Sequence, residues 1–562
     1  MKRFSKFFFA SAAMAMIFTG CSNDEPVNMA PEQGNVYAQL TLQLPEGSRA
    51  NTTTPDDNTN SSDGFEIGND KENNVGSVLV VLSSKKEDGS YNYVTSNLAD
   101  AHPVANNGNR PSYNVQFETR NLIDNAGKEI FVFAFCNPTT DLVKAAEGGF
   151  ANGFVDATGN ITAASISVAN GFFMSNAAIT SVTLPSKEQM DNFYNTPQNP
   201  FYLGTVKVSR ATARFDFKQT KIEDQTEDNL YPIYNQVTSE EGSKDLMGYV
   251  KLDGMALFNE ALNYYYLPRV SADGTNTNAT ICGPEIPGIY VVSPFATEKA
   301  AKPLSIDFIR QNYRFNGQPE EGESIGMIFS DLNYEALGSN LGEDNDENWG
   351  PDNKGIKDYM IWKYVAENTI PSVDAQRKGI TTGIAFKGHI IPVEGTELAT
   401  AMNGTNIIYA YEGVIRGDLK MLKDAVKKNP VSTLAETFKA QFGIEEITDE
   451  TLATVTDLTS TVKGGLTIYK PENGQYPVYY AYYNRHDDNG NNGVMKAMEF
   501  AVVRNNVYKI AVSNILEFGH PGDPGNDPDP ENPENPDETP KTYFRVNVQV
   551  LPWVVRINNI IL

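Results

Sequence analysis

Residues 36–44 read VYAQLTLQL. Val36, Ala38, Leu40, Leu42 and Leu44 alternate with Tyr37, Gln39, Thr41 and Gln43. A period of two puts the apolar set on one face of a strand and the polar set on the other. The same signal recurs downstream. VGSVLVVL (75–82) is an apolar run of strand length, and Tyr113, Val115 and Phe117 alternate. EIFVFAFC (129–136) predicts a strand buried on both faces that stops at Asn137-Pro138. TVKVSRATARFDF (205–217) alternates around Arg210 and Arg214. Further strands are expected at 247–252, 287–293, 380–392, 406–411 and 476–483. Helical spacing is best at 418–442, from Asp418 through Leu419, Leu422, Ala425 and Val426. Asn429-Pro430 interrupts it, and Ser432 is placed to cap a second piece. No strand–helix alternation of the doubly wound kind is present. The chain reads as mainly β, with two antiparallel β-sandwich-like domains and a few helices. Their boundary is expected near 215–225, where TKIEDQTEDN interrupts the strands.

The whole chain has 562 residues, too many for one ordinary core. Its net charge is 45 − 71 = −26, which repels phosphate backbones and argues against nucleic-acid binding. Three cysteines cannot build a disulfide scaffold or a four-cysteine zinc site. The four histidines lie far apart, at 102, 389, 486 and 520. No phosphate-binding loop, nucleophile elbow, H-E-x-x-H or C-x-x-C occurs, so no catalytic residue, cofactor or metal is expected. The oxygen-rich runs 344–348 and 487–491 lack the acidic twelfth position of a calcium loop, which is Gly355 and Met498 here. They read as solvated turns. Cys136 reads as a small core residue. Arg210 and Arg214 read as a solvated strand face or an internal salt bridge. Tyr479, Tyr480, Tyr482 and Tyr483 read as a buried or interface strand in preference to a sugar platform.

The N-terminus is a targeting segment. Lys2, Arg3 and Lys6 precede the apolar FFFASAAMAMIFTG (7–20), too short to span a membrane. Phe18-Thr19-Gly20-Cys21 has the small residues before a cysteine that mark lipidation at Cys21, and the polar SNDE follows. Residues 1–20 are then the leader. After the 36–44 strand, Arg49-Ala50 opens the polar run NTTTPDDNTNSSDG (51–64), an accessible place for a trypsin-like cut, although local chemistry alone favours an ordinary surface arginine beside a loop.

At the other end, GHPGDPGNDPDPENPENPDETPK (519–541) is an extended, self-repelling linker. The apolar YFRVNVQVLPWVVRINNIIL (543–562) follows it, with Phe544, Val546, Val548 and Val550 alternating ahead of Trp553. A strand on such a tether either folds back onto its own sheet or is donated to a neighbour. A cut at Arg49 would remove the 36–44 strand and open an apolar groove. Donor and groove on one subunit make a head-to-tail contact that propagates into filaments.

The Cys21 leader, Arg49-Ala50, VSRATARFDF, the segment 501–510 (AVVRNNVYKI) and VLPW (550–553) together resemble the Bacteroidetes fimbrillins, the type V pilus subunits. Within the family the nearest resemblance is to shaft subunits of the short (minor) fimbria of Porphyromonas. The resemblance implies two transthyretin-like β-sandwich domains, over 50–220 and 221–518, and a propeptide over 21–49. It implies an outer-membrane lipoprotein precursor, an Arg-specific maturation protease cutting at Arg49, and donation of strand 542–562 to the next copy. Partners are then other copies of the chain and accessory fimbrial subunits, in a surface fimbria serving adhesion and biofilm growth. The competing readings are a tip or accessory fimbrillin and a surface-anchored glycan-binding lipoprotein.

Overall fold

The computed structural model describes residues 36–44, 68, 70–104, 111–119, 121–151, 153–155, 157–160, 171–234, 246–281, 290–301, 304–314, 332–337, 359–376, 380–411, 414–456, 461–463, 465–487, 495, 498–522 and the backbone of 544–552. Cys21, Arg49, Ala50, Trp553, Cys282, the run 344–348 and the linker beyond 522 lie outside them.

The alternating N-terminal segment is β1 (Val36–Gln43). After α1 (Asp70–Asn73) come β2 (Ser77–Lys85), β3 (Tyr91–Pro103), β4 (Ser112–Thr119), β5 (Glu129–Cys136), β6 (Met174–Asn176), β7 (Thr180–Thr183) and β8 (Phe201–Arg210). They form one sheet in the order β2-β3-β4-β1-β8-β6-β5-β7. β2 also pairs with β5, so the sheet closes on itself. The closed interior holds Leu40 and Leu42 of β1, Val78 and Val80 of β2, Val115 of β4, Val132 of β5 and Val206 of β8. β5 is apolar on both faces because its other side, Phe131, Phe133 and Phe135, packs in a second cluster with Leu79, Val81, Tyr264 and Tyr313. Burial against two cores accounts for a continuous apolar run where one-sided strands alternate. Asn137 then turns the chain in the left-handed region, which Asn tolerates better than most residues.

The 205–217 stretch is two strands. β8 ends at Arg210, and β9 (Thr212–Phe217) belongs to a different sheet. The chain continues through β10 (Leu230–Tyr234), β11 (Leu246–Phe258), α2 (Ala296–Ala300), β12 (Met360–Ala366), β13 (Gly383–Pro392), α3 (Leu419–Lys428), α4 (Thr433–Phe442), β14 (Pro477–Tyr483), β15 (Asn506–Ile515) and β16 (Phe544–Pro552), with shorter elements between. One sheet runs β12-β9-β15-β16 and another β10-β11-β13-β14. They share a core: Phe215 and Phe217 of β9 and Tyr508, Ile510 and Val512 of β15 meet Ile233, Leu252, Phe386 and Tyr480. Tyr231 of β10 donates across this core to Val512 O at 2.9 Å. The fold is mainly β with sandwich-like sheets, as the periodicity implies.

Among the described residues, two pairings are parallel within an otherwise antiparallel frame: β1 with β8 and β9 with β15. Each joins strands distant in sequence, as parallel pairing requires.

The helices follow their caps. Asp418 accepts from Met421 N at 2.8 Å and starts α3. Lys427 and Lys428 complement the carbonyl end of α3, and Asn429 closes it. Ser432 accepts from Ala435 N at 3.1 Å and starts α4. Leu422, Val426, Ala435 and Phe438 pack together against Leu466 and Ile468 of a small neighbouring sheet.

Candidate functional site

β1 lies between β4, antiparallel to it, and β8, parallel to it. Leu40 pairs with Val115, and Leu42 with Tyr113 on one side and Val206 on the other. Val36, Ala38, Leu40, Leu42 and Leu44 are 0–2% exposed, whereas the side chains between them are partly exposed. Tyr37 donates to Glu118 Oε2 and Thr41 Oγ1 to Asn114 Oδ1, both at 3.1 Å. Tyr37 N donates to Tyr194 O at 2.8 Å. Each buried Val or Leu here is worth about 1.5–3 kcal/mol. Taking β1 and the adjoining Leu44 away would forfeit roughly 6–12 kcal/mol from Val36, Leu40, Leu42 and Leu44. That is comparable to the whole stability of a typical domain, about 5–15 kcal/mol. A vacated slot between β4 and β8 would therefore favour refilling by another apolar strand.

β16 is the outer strand of its sheet. It pairs antiparallel with β15, in the register Tyr508↔Val550, Ile510↔Val548 and Val512↔Val546. Of the two options open to a tethered strand, it takes the first, return to its own sheet. Phe544, Val546, Val548 and Val550 have the same two-residue spacing as the apolar set of β1.

The chain between these two strands is tied together by buried charge. Arg214 of β9 donates to both carboxylate oxygens of Asp216 at 2.7 Å and to Glu72 Oε1 of α1 at 2.7 Å. Lys509 of β15 donates to Asp216 Oδ2 at 2.9 Å. All four side chains are 0% exposed. Burial works against the charged carboxyl of Asp216, but Arg214 and Lys509 outweigh it and hold its pKa below the usual carboxylate value. Tyr364 donates to Glu72 Oε1 at 2.9 Å, and burial, reinforced by Glu72, pushes its phenol well above the usual value. Arg210 donates to Glu72 O at 3.1 Å and to the Asn73 side chain. Both arginines singled out in the sequence are thus interior, and Arg214 takes the salt-bridge role. The sequence does not expose Glu72 and Lys509 as partners, because each lies on a segment remote from β9.

The segment 501–510 is the turn into β15. Arg504 donates to both oxygens of Glu367 (3.1 and 3.3 Å) and to Tyr265 O (2.8 Å). Asn505 adopts a left-handed φ of 57°, and its Oδ1 accepts from Arg210 N at 3.3 Å. The Tyr508 hydroxyl accepts from Val503 N at 2.8 Å and lies 3.0 Å from His486 Nδ1.

β14 is buried on both faces. Val478, Tyr480 and Tyr482 join the sandwich core, while Tyr479 packs with Ala256, Phe258 and Ala385. Tyr479, Tyr480 and Tyr482 are 1–2% exposed and offer no stacking face to a sugar. Cys136 is buried in the closed sheet, and burial pushes its thiol far up. No group of three or more His, Cys, Asp or Glu among the described residues is placed to hold a metal. Of the run 487–491, only Asp487 is described, and it is buried.

Residues 472–559, which contain β14, the Arg504 turn, β15 and β16, match the C-terminal family of major fimbrial subunit protein type IV, fimbrillin. The C-terminal part of this chain is fimbrillin-like. That match is to a family of fimbrial structural subunits. The matched segment supports a fimbrial-subunit role for the chain. Among solved structures, it is similar to fimbrillin FimA from Porphyromonas gingivalis, at 14% identity over 93% of this chain and 99% of that one, with a TM-score of 0.38. It is also similar to the tip fimbrial protein Mfa3 of the same organism with a C-terminal truncation, at 10% identity over 92% and 100%, with a TM-score of 0.33. A third likeness is a fimbrial assembly protein from Parabacteroides distasonis, at 10% identity over 63% and 96%, with a TM-score of 0.25. No curated protein matches the chain.

Proposed function

We propose that the chain is a polymerising shaft subunit of a surface fimbria serving adhesion and biofilm growth. It is exported as an outer-membrane lipoprotein precursor carrying lipid on Cys21. An Arg-specific protease cuts between Arg49 and Ala50 and frees β1. The strand from 542 onward then leaves its own sheet and enters the slot between β4 and β8 of the next copy. The observation that carries this reading is the position of β1. It lies inside a closed sheet, with apolar residues 0–2% exposed, although it precedes a cleavable Arg49. The edge position of β16 supplies a strand that can be donated without breaking the interior of a sheet. In this reading 50–220 and 221–518 are the two domains, and 519–541 is the tether.

Limited tryptic digestion of purified precursor, followed by N-terminal mass analysis and a native gel, tests it. An N-terminus at Ala50 with an oligomer ladder that vanishes when 543–562 is deleted is the expected result. A protease-resistant monomer that keeps a lipidated Cys21 would overturn the reading in favour of an anchored binding protein.

A further inference from the structure

Lys299 of α2 is 3% exposed. Its Nζ donates to Ser293 Oγ at 2.6 Å, Thr369 O at 3.0 Å and Asn368 Oδ1 at 3.3 Å. Asn368, two residues beyond β12, is itself held rigidly. Its backbone N and O both bond Val502 at 2.8 Å. Its Nδ2 donates to Ile380 O at 2.7 Å and to Thr382 Oγ1 at 2.9 Å. The Tyr313 hydroxyl reaches the same Oδ1 at 3.5 Å. Ser293, Asn368, Thr369, Thr382 and Tyr313 are all buried.

An amine thus lies at contact distance from a carboxamide, in a site closed to water and with both partners already positioned. A neutral amine can keep its N–H groups on Ser293 and Thr369 and turn its lone pair to the amide, the third direction of a tetrahedral nitrogen. Burial pulls the Lys299 pKa down to about 7, against the opposing pull of Glu367 and Glu298, so neutral amine is well populated near neutral pH. The Glu367 carboxylate faces Arg504 as well, which holds it in place.

We propose that Lys299 and Asn368 join in an intramolecular isopeptide bond. Nζ attacks Cγ of Asn368 and forms a new C–N bond. The Tyr313 O–H supports the negative charge that grows on Oδ1. The Cγ–Nδ2 bond then breaks, and the proton given up by Nζ leaves on Nδ2 as ammonia. Amine and amide become amide and ammonia, with no oxidant or other co-reactant. The bond fastens α2 to the end of β12, the strand beside β9, and would resist extension of a subunit pulled along a filament.

The unmodified full chain provides the test. The folded protein is held at neutral pH, denatured, digested with trypsin and analysed by mass spectrometry. The expected ion joins peptide 270–310, uncut at Lys299, to peptide 364–377, at one ammonia less than the summed mass. Lys299→Arg should release 364–377 unlinked. Recovery from the unmodified chain of 364–377 only at its own mass, with cleavage at Lys299, would overturn the proposal whether or not any variant folds.

Discussion

Asp216 of β9 and Lys509 of β15 face each other across a parallel strand pair, with Lys509 Nζ donating to Asp216 Oδ2 at 2.9 Å and neither side chain exposed. Arg214 and Glu72 complete a group with two positive and two negative charges. The group joins α1, downstream of Arg49, to the sheet that carries β16. Such a cluster contributes little net stability when intact, because desolvation offsets much of the attraction. Breaking it is another matter.

Removing one charge leaves its partners buried and uncompensated. Asp216→Asn should destabilise the folded chain by about 3–5 kcal/mol, read as a lower urea midpoint at pH 7. A loss below about 1 kcal/mol, the usual ceiling for an exposed pair, would show that the cluster is effectively hydrated.

The same carboxyl sets an acid limit. Its folded pKa is held below its ordinary value of 3.8 by Arg214 and Lys509, against the opposing effect of burial. Its contribution is therefore complete above that value, and is lost as pH falls through it towards the folded pKa. Melting temperature should drop on going from pH 5 to pH 3. Asp216→Asn should flatten the drop. An unchanged slope in the variant would assign acid sensitivity to other carboxyls.

Leu40 seals the closed sheet at 0% exposure. Leu40→Ala should cost the precursor about 2–5 kcal/mol by the cavity it leaves. If β1 is removed on maturation, the same substitution should leave the melting temperature of assembled filaments unchanged. A filament that carries the defect would show that β1 is retained.

Ala511 and Asn547 are register partners in β15 and β16. Paired Cα atoms in an antiparallel sheet stand about 4.5–5.5 Å apart, within disulfide reach. If the chain is cut at Arg49 and assembles by releasing β16, oxidised Ala511→Cys/Asn547→Cys protein should stay monomeric, and a reductant should restore assembly. Assembly of the oxidised double variant at the normal rate would exclude release of β16 as a required step.

Asp418 caps α3 through Met421 N. Asp418→Ala should lower stability by about 1 kcal/mol, visible as a small melting shift, with Asp418→Ser recovering most of it.

Alternation told strand from helix wherever one face was wet. VYAQLTLQL became β1, and Asp418 and Ser432 became the caps of α3 and α4, because these signals are local: a backbone period and a side chain that reaches its own first turn. EIFVFAFC was legible as buried on both sides, but not what buries it. The continuous pattern of 205–217 concealed a change of sheet at Ala211, since alternation is blind to which neighbour a strand pairs with. Arg210 and Arg214 were visible as charges in apolar surroundings. Their partners were not, because Glu72 and Lys509 come from segments far along the chain.

The sequence by itself therefore determined the β class, the strand and helix ends that carry their own turn or cap, and the two apolar strands near the ends of the chain. Only the tertiary structure decided that β1 closes a sheet from the inside while β16 lies at the edge of another, and that a neutral quartet and a Lys299–Asn368 contact lie between them. The physical reason is range. Period and capping act within a few residues, whereas strand order, parallel pairing and the burial of charge depend on groups that meet only when the whole chain has folded.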